Sequence, residues 1–187
     1  MKKGPVIAFF VIVVLIQIAA PLSMIIKRED VLKHGVQFKF RVEPVDPFDA
    51  FRGRYVAIRI KNPKIPVGNR IGLKSGQKVY ALIETNSDNF GEFFNIETVK
   101  PKNQAYMLVR IKYISNGQIY LDIPLDRYYM EESAAPKAER LYQRHARAGK
   151  KEPDVYVLVR IKDGFPVIKQ LYVGGMRIED AVKNLKN

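Results

Sequence analysis

An unbroken apolar segment lies close to the N-terminus. From residue 5 to residue 26 the sequence PVIAFFVIVVLIQIAAPLSMII contains no charged residue. At a rise of 1.5 Å per residue, a helix of this length extends about 33 Å, enough to cross a hydrocarbon layer of about 30 Å. Apolar residues occupy every side of such a helix, which argues against a buried core helix. The pattern predicts a transmembrane anchor over residues 5–26.

A cleaved secretory signal is the competing interpretation of this segment. Signal peptides normally carry an apolar stretch of about 7–15 residues that ends in a small-residue cleavage site. Here the stretch is longer, and its best site, Ala19-Ala20, is followed by Pro21. We therefore expect a retained single-pass anchor in the cell membrane. Because the tail of residues 1–4 is so short, we expect it to stay in the cytoplasm and residues 27–187 to form an extracytoplasmic domain.

Alternating apolar and polar positions predict β-strands in the rest of the chain. Residues 36–42 alternate, and so do three segments of the form Y-x-x-[IV]-R-I-K that begin at Tyr55, Tyr106 and Tyr156. Each segment has one purely apolar face and one face with Tyr, Arg and Lys. The sequences between the segments do not match, which favours independent amphipathic strands over an ancestral repeat.

Turn dipeptides divide this β-rich region into hairpins. Asn-Gly and Asp-Gly accept the positive φ angles of tight hairpin turns. They occur at residues 116–117 and 163–164, and predict partner strands at residues 118–123 and 165–173. A further strand is predicted at residues 76–84, with a turn at residues 86–91.

One segment departs from the β pattern and predicts a helix near residues 133–149. Ser133 is its candidate N-cap, and Gly149 suits its C-terminal end. His145 falls on the apolar stripe of this helix, so we interpret it as a packing residue rather than a ligand. The predicted fold is mainly β (α+β): a transmembrane helix followed by one antiparallel β-rich domain with one helix.

The composition excludes several kinds of chemistry. There is no cysteine, which removes disulfides, thiolate catalysis and zinc-thiolate sites. The two histidines are too few for a three-imidazole metal site and lie in no metalloprotease motif. We therefore predict neither a metal nor a cofactor.

The chain is strongly basic, with a net charge of +13. Such a charge attracts acidic lipid or an acidic partner. Nucleic acid is not expected, because the basic residues alternate with apolar ones along strands and form no basic arm or recognition helix. The candidate basic surface consists of the strand residues Arg59, Arg110 and Arg160 and the helix residues Arg140, Arg144 and Arg147.

The densest group of polar residues in a predicted loop consists of Asp46, Asp49, Arg52, Arg54 and Tyr55. Loops carry a large share of binding residues, so this group is the candidate binding site. A structural interpretation stands beside it, in which Asp46 shapes a turn and Arg52 pairs with a nearby acid.

No catalytic group of residues stands out, and we expect a protein that is not an enzyme. The alternative is a membrane-tethered hydrolase of the Ser–Lys type, for which Ser75 with Lys74 or Lys78 is the one candidate. The acidic pair Glu131 and Glu132 would point to opposite faces of a strand, which does not suit glycoside chemistry.

The loop and strand of residues 45–60 resemble the bacterial family named for its G-D-Y-x-x-L-x-Y motif, which is usually preceded by D-P and R, here Asp46-Pro47 and Arg52. Gly53 and Tyr55 match, whereas Arg54 replaces the Asp of the motif, and isoleucines replace its Leu and final Tyr. Residues 127–132, the helix that contains Glu139, and residues 156–162 and 167–175 together look like the C-terminal half of that family. The resemblance implies a membrane-anchored extracytoplasmic protein, often encoded beside a multi-spanning membrane protein, and supplies no catalytic residues. We therefore expect membrane lipid and a multi-spanning membrane protein as partners.

Overall fold

A computed structural model of the chain describes residues 3–44, 55–68, 70–147 and 154–185. The helices of this part are α1 (Lys3–His34), α2 (Ala135–Arg147) and α3 (Ile178–Asn184). The strands are β1 (Val36–Pro44), β2 (Tyr55–Ile60), β3 (Lys64–Pro66), β4 (Lys78–Thr85), β5 (Gly91–Glu97), β6 (Tyr106–Ser115), β7 (Gln118–Asp122), β8 (Arg127–Tyr129), β9 (Val155–Lys162), β10 (Phe165–Val173) and β11 (Met176–Arg177).

The described strands form two antiparallel sheets around one hydrophobic core. One sheet has six strands in the order β11-β10-β9-β1-β2-β8, and the other has five in the order β3-β7-β6-β4-β5. Buried residues from both sheets, together with α2 and α3, belong to a single core cluster. An apolar helix followed by a β-rich antiparallel domain confirms the predicted fold class.

The alternation of apolar residues correctly identified the faces that enter the core. In the three similar strands the buried residues are Val56, Ile58 and Ile60 of β2, Met107, Val109 and Ile111 of β6, and Val157, Val159 and Ile161 of β9. The sheets use these strands differently, since β2 and β9 both pair with β1, whereas β6 lies in the other sheet. The shared sequence pattern therefore reflects a shared requirement to cover a core with one face.

Both predicted hairpins are present. Asn116 and Gly117 have φ angles of 50° and 69°, and Asp163 and Gly164 have φ angles of 50° and 76°. Positive φ at both central residues matches the twist of antiparallel strands. Strands β7 and β10 follow these turns, as predicted.

The helices agree with the sequence only in part. Helix α2 is present, but Ser133 is not its N-cap: the helix begins at Ala135, and the Ser133 hydroxyl donates a hydrogen bond to Glu131 at 2.6 Å. Helix α3 was not predicted, because its seven residues are too few for a clear periodic pattern. It buries Ile178 and Val182 in the common core.

Helix α1 extends beyond the predicted anchor. It continues past residue 26 to His34, and β1 begins at Val36. Within the described part of the chain, α1 is the one helix long and apolar enough to cross a membrane, judged by length and composition. Its described apolar side chains from Ile7 to Ile26 are mostly exposed and none is buried, so the domain does not cover them.

Candidate functional site

The last two turns of α1 pack against β9 and β10, and we call this contact of residues 27–35 the α1 junction. Val31 is only 2% exposed. The carboxylate of Asp30 accepts two hydrogen bonds from the Lys162 ammonium, at 2.6 and 2.8 Å, and contacts the His34 ring at 2.8 Å. The bonds from Lys162 and His34 lower the pKa of Asp30 below its ordinary value. Asp30, one of the charged residues after the apolar segment, thus attaches the end of α1 to β9.

Gly35 completes the junction. Its N–H donates to the carbonyl of Val31 at 2.8 Å, and its own carbonyl accepts a hydrogen bond from Arg160 at 2.7 Å. A Cβ at this position would lie 2.6 Å from the Val31 oxygen and 3.0 Å from the Ile161 nitrogen. Only glycine fits between these two backbone segments, so helix and sheet are joined with no flexible linker.

The strand register defines two ends of the six-stranded sheet. Val36 pairs with Ile161, and Phe165 pairs with Lys162. We call this the proximal end, because α1 enters there. The eight steps between the nine residues of β1, at about 3.4 Å each in an antiparallel strand, extend about 27 Å to Pro44 at the distal end, where β9 begins and β10 ends.

Four of the five candidate binding residues, Asp46, Asp49, Arg52 and Arg54, lie outside the described residues. The fifth, Tyr55, starts β2 at the distal end. Its ring makes an edge contact with Tyr129, with ring centroids 5.8 Å apart, and the Arg127 guanidinium lies 5.2 Å from its centre. Tyr129 is 58% exposed. The described edge of the candidate site is therefore an aromatic and cationic cluster, which the sequence analysis did not identify.

Arg127 remains cationic in this cluster. The hydroxyl of Tyr129, and then the carboxylate of Asp126, raise the pKa of Arg127. Asp126 lies 3.3 Å from the guanidinium. The cluster therefore holds one guanidinium, paired with Asp126, beside the two tyrosines.

The structure does not bring the three strand arginines together. Arg59 and Arg160 lie in the six-stranded sheet and Arg110 in the five-stranded one. Arg59 is 3.8 Å from Glu43, Arg110 donates to the carbonyl of Gly76 at 3.1 Å, and Arg160 holds the α1 junction. The strand part of the candidate basic surface is thus divided among three local contacts.

The helix arginines form a more open surface. Arg140 and Arg144 are exposed and one helical turn apart, and neither forms an ion pair within the residues that the structure describes. The side chain of Arg147 lies outside that part. Counting the described residues alone, no ion pair neutralises the charges of Arg140 and Arg144 on α2.

The opposite side of α2 fixes it to the distal end. Tyr142 is completely buried, and its hydroxyl donates to the carbonyl of Glu43 at 2.6 Å. Burial raises the pKa of the Tyr142 phenol, so it stays neutral. His145 is half-buried with its ring beside Gly174, in agreement with its interpretation as a packing residue. The helix is therefore a firm support for the arginines.

A second polar cluster, also missed in the sequence, joins β8, β10 and α3. The Tyr128 hydroxyl donates to Glu179 at 2.6 Å and accepts from Gln170 at 3.0 Å. Burial, followed by the nearby Glu179, raises the pKa of Tyr128. Tyr128 lies 42 and 51 positions away from its two partners, so spacing along the chain gave no signal for this cluster. We interpret the cluster as structural.

Two of the residues considered for hydrolysis, Ser75 and Glu131, form hydrogen bonds with other groups of the domain. The Ser75 hydroxyl donates to the carbonyl of Lys112 at 2.6 Å. Among the described residues, neither Lys74 nor Lys78 contributes a hydrogen bond to it. Glu131 accepts the Ser133 bond before α2. Within the same described ranges, no group of His, Asp and Glu is suited to hold a metal.

Comparison with known proteins identifies the family. The family model described as GDYXXLXY protein matches residues 17–171. This range begins within α1 and ends in β10, so it includes the α1 junction and the distal cluster. No curated protein and no solved structure matches significantly. The resemblance seen in the sequence is confirmed, and the chain belongs to the GDYXXLXY protein family.

Proposed function

We propose that this chain is a single-pass protein of the cell membrane whose domain binds another membrane protein. In this proposal α1 is retained as the anchor, residues 1–4 lie in the cytoplasm, and the β-rich domain is extracytoplasmic. The domain acts as a binding module and not as an enzyme. The observation that carries the proposal is the position of Arg140 and Arg144: exposed, unpaired within the described part of the chain, and supported by a buried helix face.

The distance of these arginines from α1 favours a protein over lipid as their partner. Helix α2 is attached at Glu43, near the distal end of β1 and about 27 Å from the α1 junction. The Debye length is about 10 Å at 0.1 M salt, so headgroup charge is largely screened at that distance. An acidic extracytoplasmic segment of a neighbouring multi-spanning protein suits the position better.

The aromatic cluster at the same end supports a protein partner. Tyr and Arg are the residues most enriched at the energetic centres of protein interfaces. Half-buried Tyr55 and the exposed Arg127 and Tyr129 combine both types in one group. Rigid joining of α1 to the sheet would hold this group at a constant height above the membrane.

Mild crosslinking in native membranes, followed by affinity purification of the full chain, tests the proposal. Wild type should capture a membrane protein with an acidic extracytoplasmic segment, more efficiently at low salt than at high salt. The double variant Arg140→Gln/Arg144→Gln should capture much less of it while keeping the wild-type far-UV dichroism, because exposed charges contribute little to stability.

The matched control is Lys64→Gln/Lys78→Gln, which removes the same charge from exposed positions of the five-stranded sheet. This control should capture the partner as wild type does. Equal capture by all three proteins, or capture that ignores salt, would contradict a role for the distal arginines.

A further inference from the structure

The proximal end of the domain lies where α1 leaves it. Lys27 is the first charged residue after the apolar part of α1, and its ammonium lies 4.5 Å from the centre of the Phe165 ring. Phe165 follows the turn between β9 and β10 and is 41% exposed. Any membrane that α1 crosses therefore has its surface close to this turn.

The loop of residues 98–105 also lies at the proximal end, because it contacts the turn between β9 and β10. The carbonyl of Gly164 accepts a hydrogen bond from the Leu108 N–H at 2.9 Å, and Asp163 lies 3.2 Å from the Lys100 ammonium. These contacts join the loop of residues 98–105 to the turn. Val99 in this loop is 74% exposed.

The exposed side chains of this end combine positive charge with apolar surface. The basic residues Lys27, Arg28, Lys100 and Lys102 accompany the acidic residues Glu29 and Asp163. The hydrogen bond that the Lys100 ammonium donates to Asp163 raises the pKa of Lys100, so its charge is present at neutral pH. Aromatic and aliphatic side chains next to lysines are typical of the membrane–water interface, where each charge and each ring finds its own environment.

An open groove of about 440 Å³ extends this apolar surface. Val99 and Ile71 both line it, and Ile71 is 97% exposed. An isoleucine side chain that stays exposed to water contributes none of the favourable free energy that its burial would give. Contact with the acyl boundary of a bilayer would recover part of it.

We propose that the β9–β10 turn and the loop of residues 98–105 form a surface that rests on the headgroups of acidic phospholipids, with Phe165 inserted at the interface. This inference rests on the proposed function, because it takes α1 as the retained anchor. It adds a lipid partner at the proximal end, distinct from the protein partner at the distal end. The surface and the α1 junction together would set the orientation of the whole domain.

Tryptophan fluorescence tests this contact directly, because the chain contains no tryptophan of its own. The full chain with Phe165→Trp is reconstituted into vesicles of neutral phosphatidylcholine, or of phosphatidylcholine with phosphatidylglycerol, with and without brominated acyl chains. The emission should be blue-shifted and quenched by the brominated lipid, and quenching should be stronger in the acidic vesicles. Adding Lys100→Gln and Lys102→Gln should weaken that dependence on lipid charge, leaving the part due to Lys27 and Arg28.

The control is Met176→Trp, at an exposed position that pairs with Val173 at the distal end. Its emission should stay red-shifted and unquenched. The inference is overturned if Phe165→Trp is as unquenched as Met176→Trp, or if its quenching is the same in neutral and acidic vesicles.

Flotation of the same vesicles after alkaline carbonate treatment separates the two proposals. Loss of the protein from the vesicles would mean that α1 is no anchor, which removes the proposed function as well. Protein that floats with the vesicles while Phe165→Trp stays unquenched would overturn the lipid contact alone.

Discussion

Neighbouring residues of one strand can have opposite environments, and β6 gives a clear example. Val109 is 3% exposed, whereas Leu108, the adjacent residue, is 40% exposed. Their side chains point to opposite faces because successive residues of a strand alternate. Hydrophobic character alone therefore does not tell which of the two residues stabilises the domain.

Replacing Val109 by Asp should unfold the domain. An unpaired buried charge costs several kcal/mol, which is comparable with the total stability of about 5–15 kcal/mol for a domain. Thermal unfolding followed by circular dichroism should show no cooperative transition for Val109→Asp. Leu108→Asp should keep a transition close to that of wild type. Similar behaviour of both variants would mean that this strand does not separate core from surface.

At the scale of secondary-structure elements, α1 is bound to the sheet by a few polar contacts around one buried residue. Val31 is buried in this contact. Around it, Asp30 accepts a hydrogen bond from Lys162, and the carbonyl of Gly35 accepts one from Arg160. The pair of Asp30 and Lys162 is partly exposed, so salt and water weaken it. Its main effect is to hold the position of the helix end.

The attachment of α1 should weaken at acid pH because the pKa of Asp30 is lowered in the folded chain. A lowered pKa means that the carboxylate contributes stability above its ordinary pKa of 3.8, and that this contribution disappears as the pH falls through the lowered value. Hydrogen exchange of residues 27–35 should be faster in Asp30→Asn than in wild type at neutral pH. The two proteins should become alike well below pH 3.8.

Asp88→Asn is a suitable control for this comparison, since it removes the exposed contact of Asp88 with Arg41, away from the junction. It should leave exchange at residues 27–35 unchanged at every pH. A difference between wild type and Asp30→Asn that persists in acid would indicate an effect other than the charge of Asp30.

At the scale of the whole molecule, one core and one linker-free junction make helix and domain a single unit. Both sheets, α2 and α3 contribute to the same cluster of buried residues. Helix α1 enters at one end of the six-stranded sheet, and the exposed arginines of α2, together with Tyr55 and Tyr129, lie at the other. We therefore propose a lipid contact at one end of the molecule and a protein partner at the other.

The proposed topology predicts which side of the membrane the domain occupies. Protease added to intact spheroplasts should digest the domain, because residues beyond Asp30 would lie outside the cytoplasm. A cytoplasmic marker protein should survive the same treatment. Full protection of the domain until the spheroplasts are lysed would reverse the orientation.

Local patterns were sufficient for the elements that depend on neighbouring residues. The apolar run predicted α1. Alternation predicted the buried faces of β2, β6 and β9, because one face of each strand meets the core and the other does not. The dipeptides at residues 116–117 and 163–164 predicted the hairpins because their φ angles are a local property. Family membership also followed from the sequence.

Only the tertiary structure decided which residues from distant parts of the chain meet. Lys162 binds Asp30 from 132 positions away, and Tyr142 binds Glu43 from 99 positions away. Short elements such as α3 form because the core accepts Ile178 and Val182, and not because seven residues favour a helix by themselves. The sequence by itself determined the apolar helix, the β-rich domain and the surplus of positive charge. The fold alone divided the candidate basic residues between the two sheets and α2, because pairing of distant strands sets which side chains share a surface.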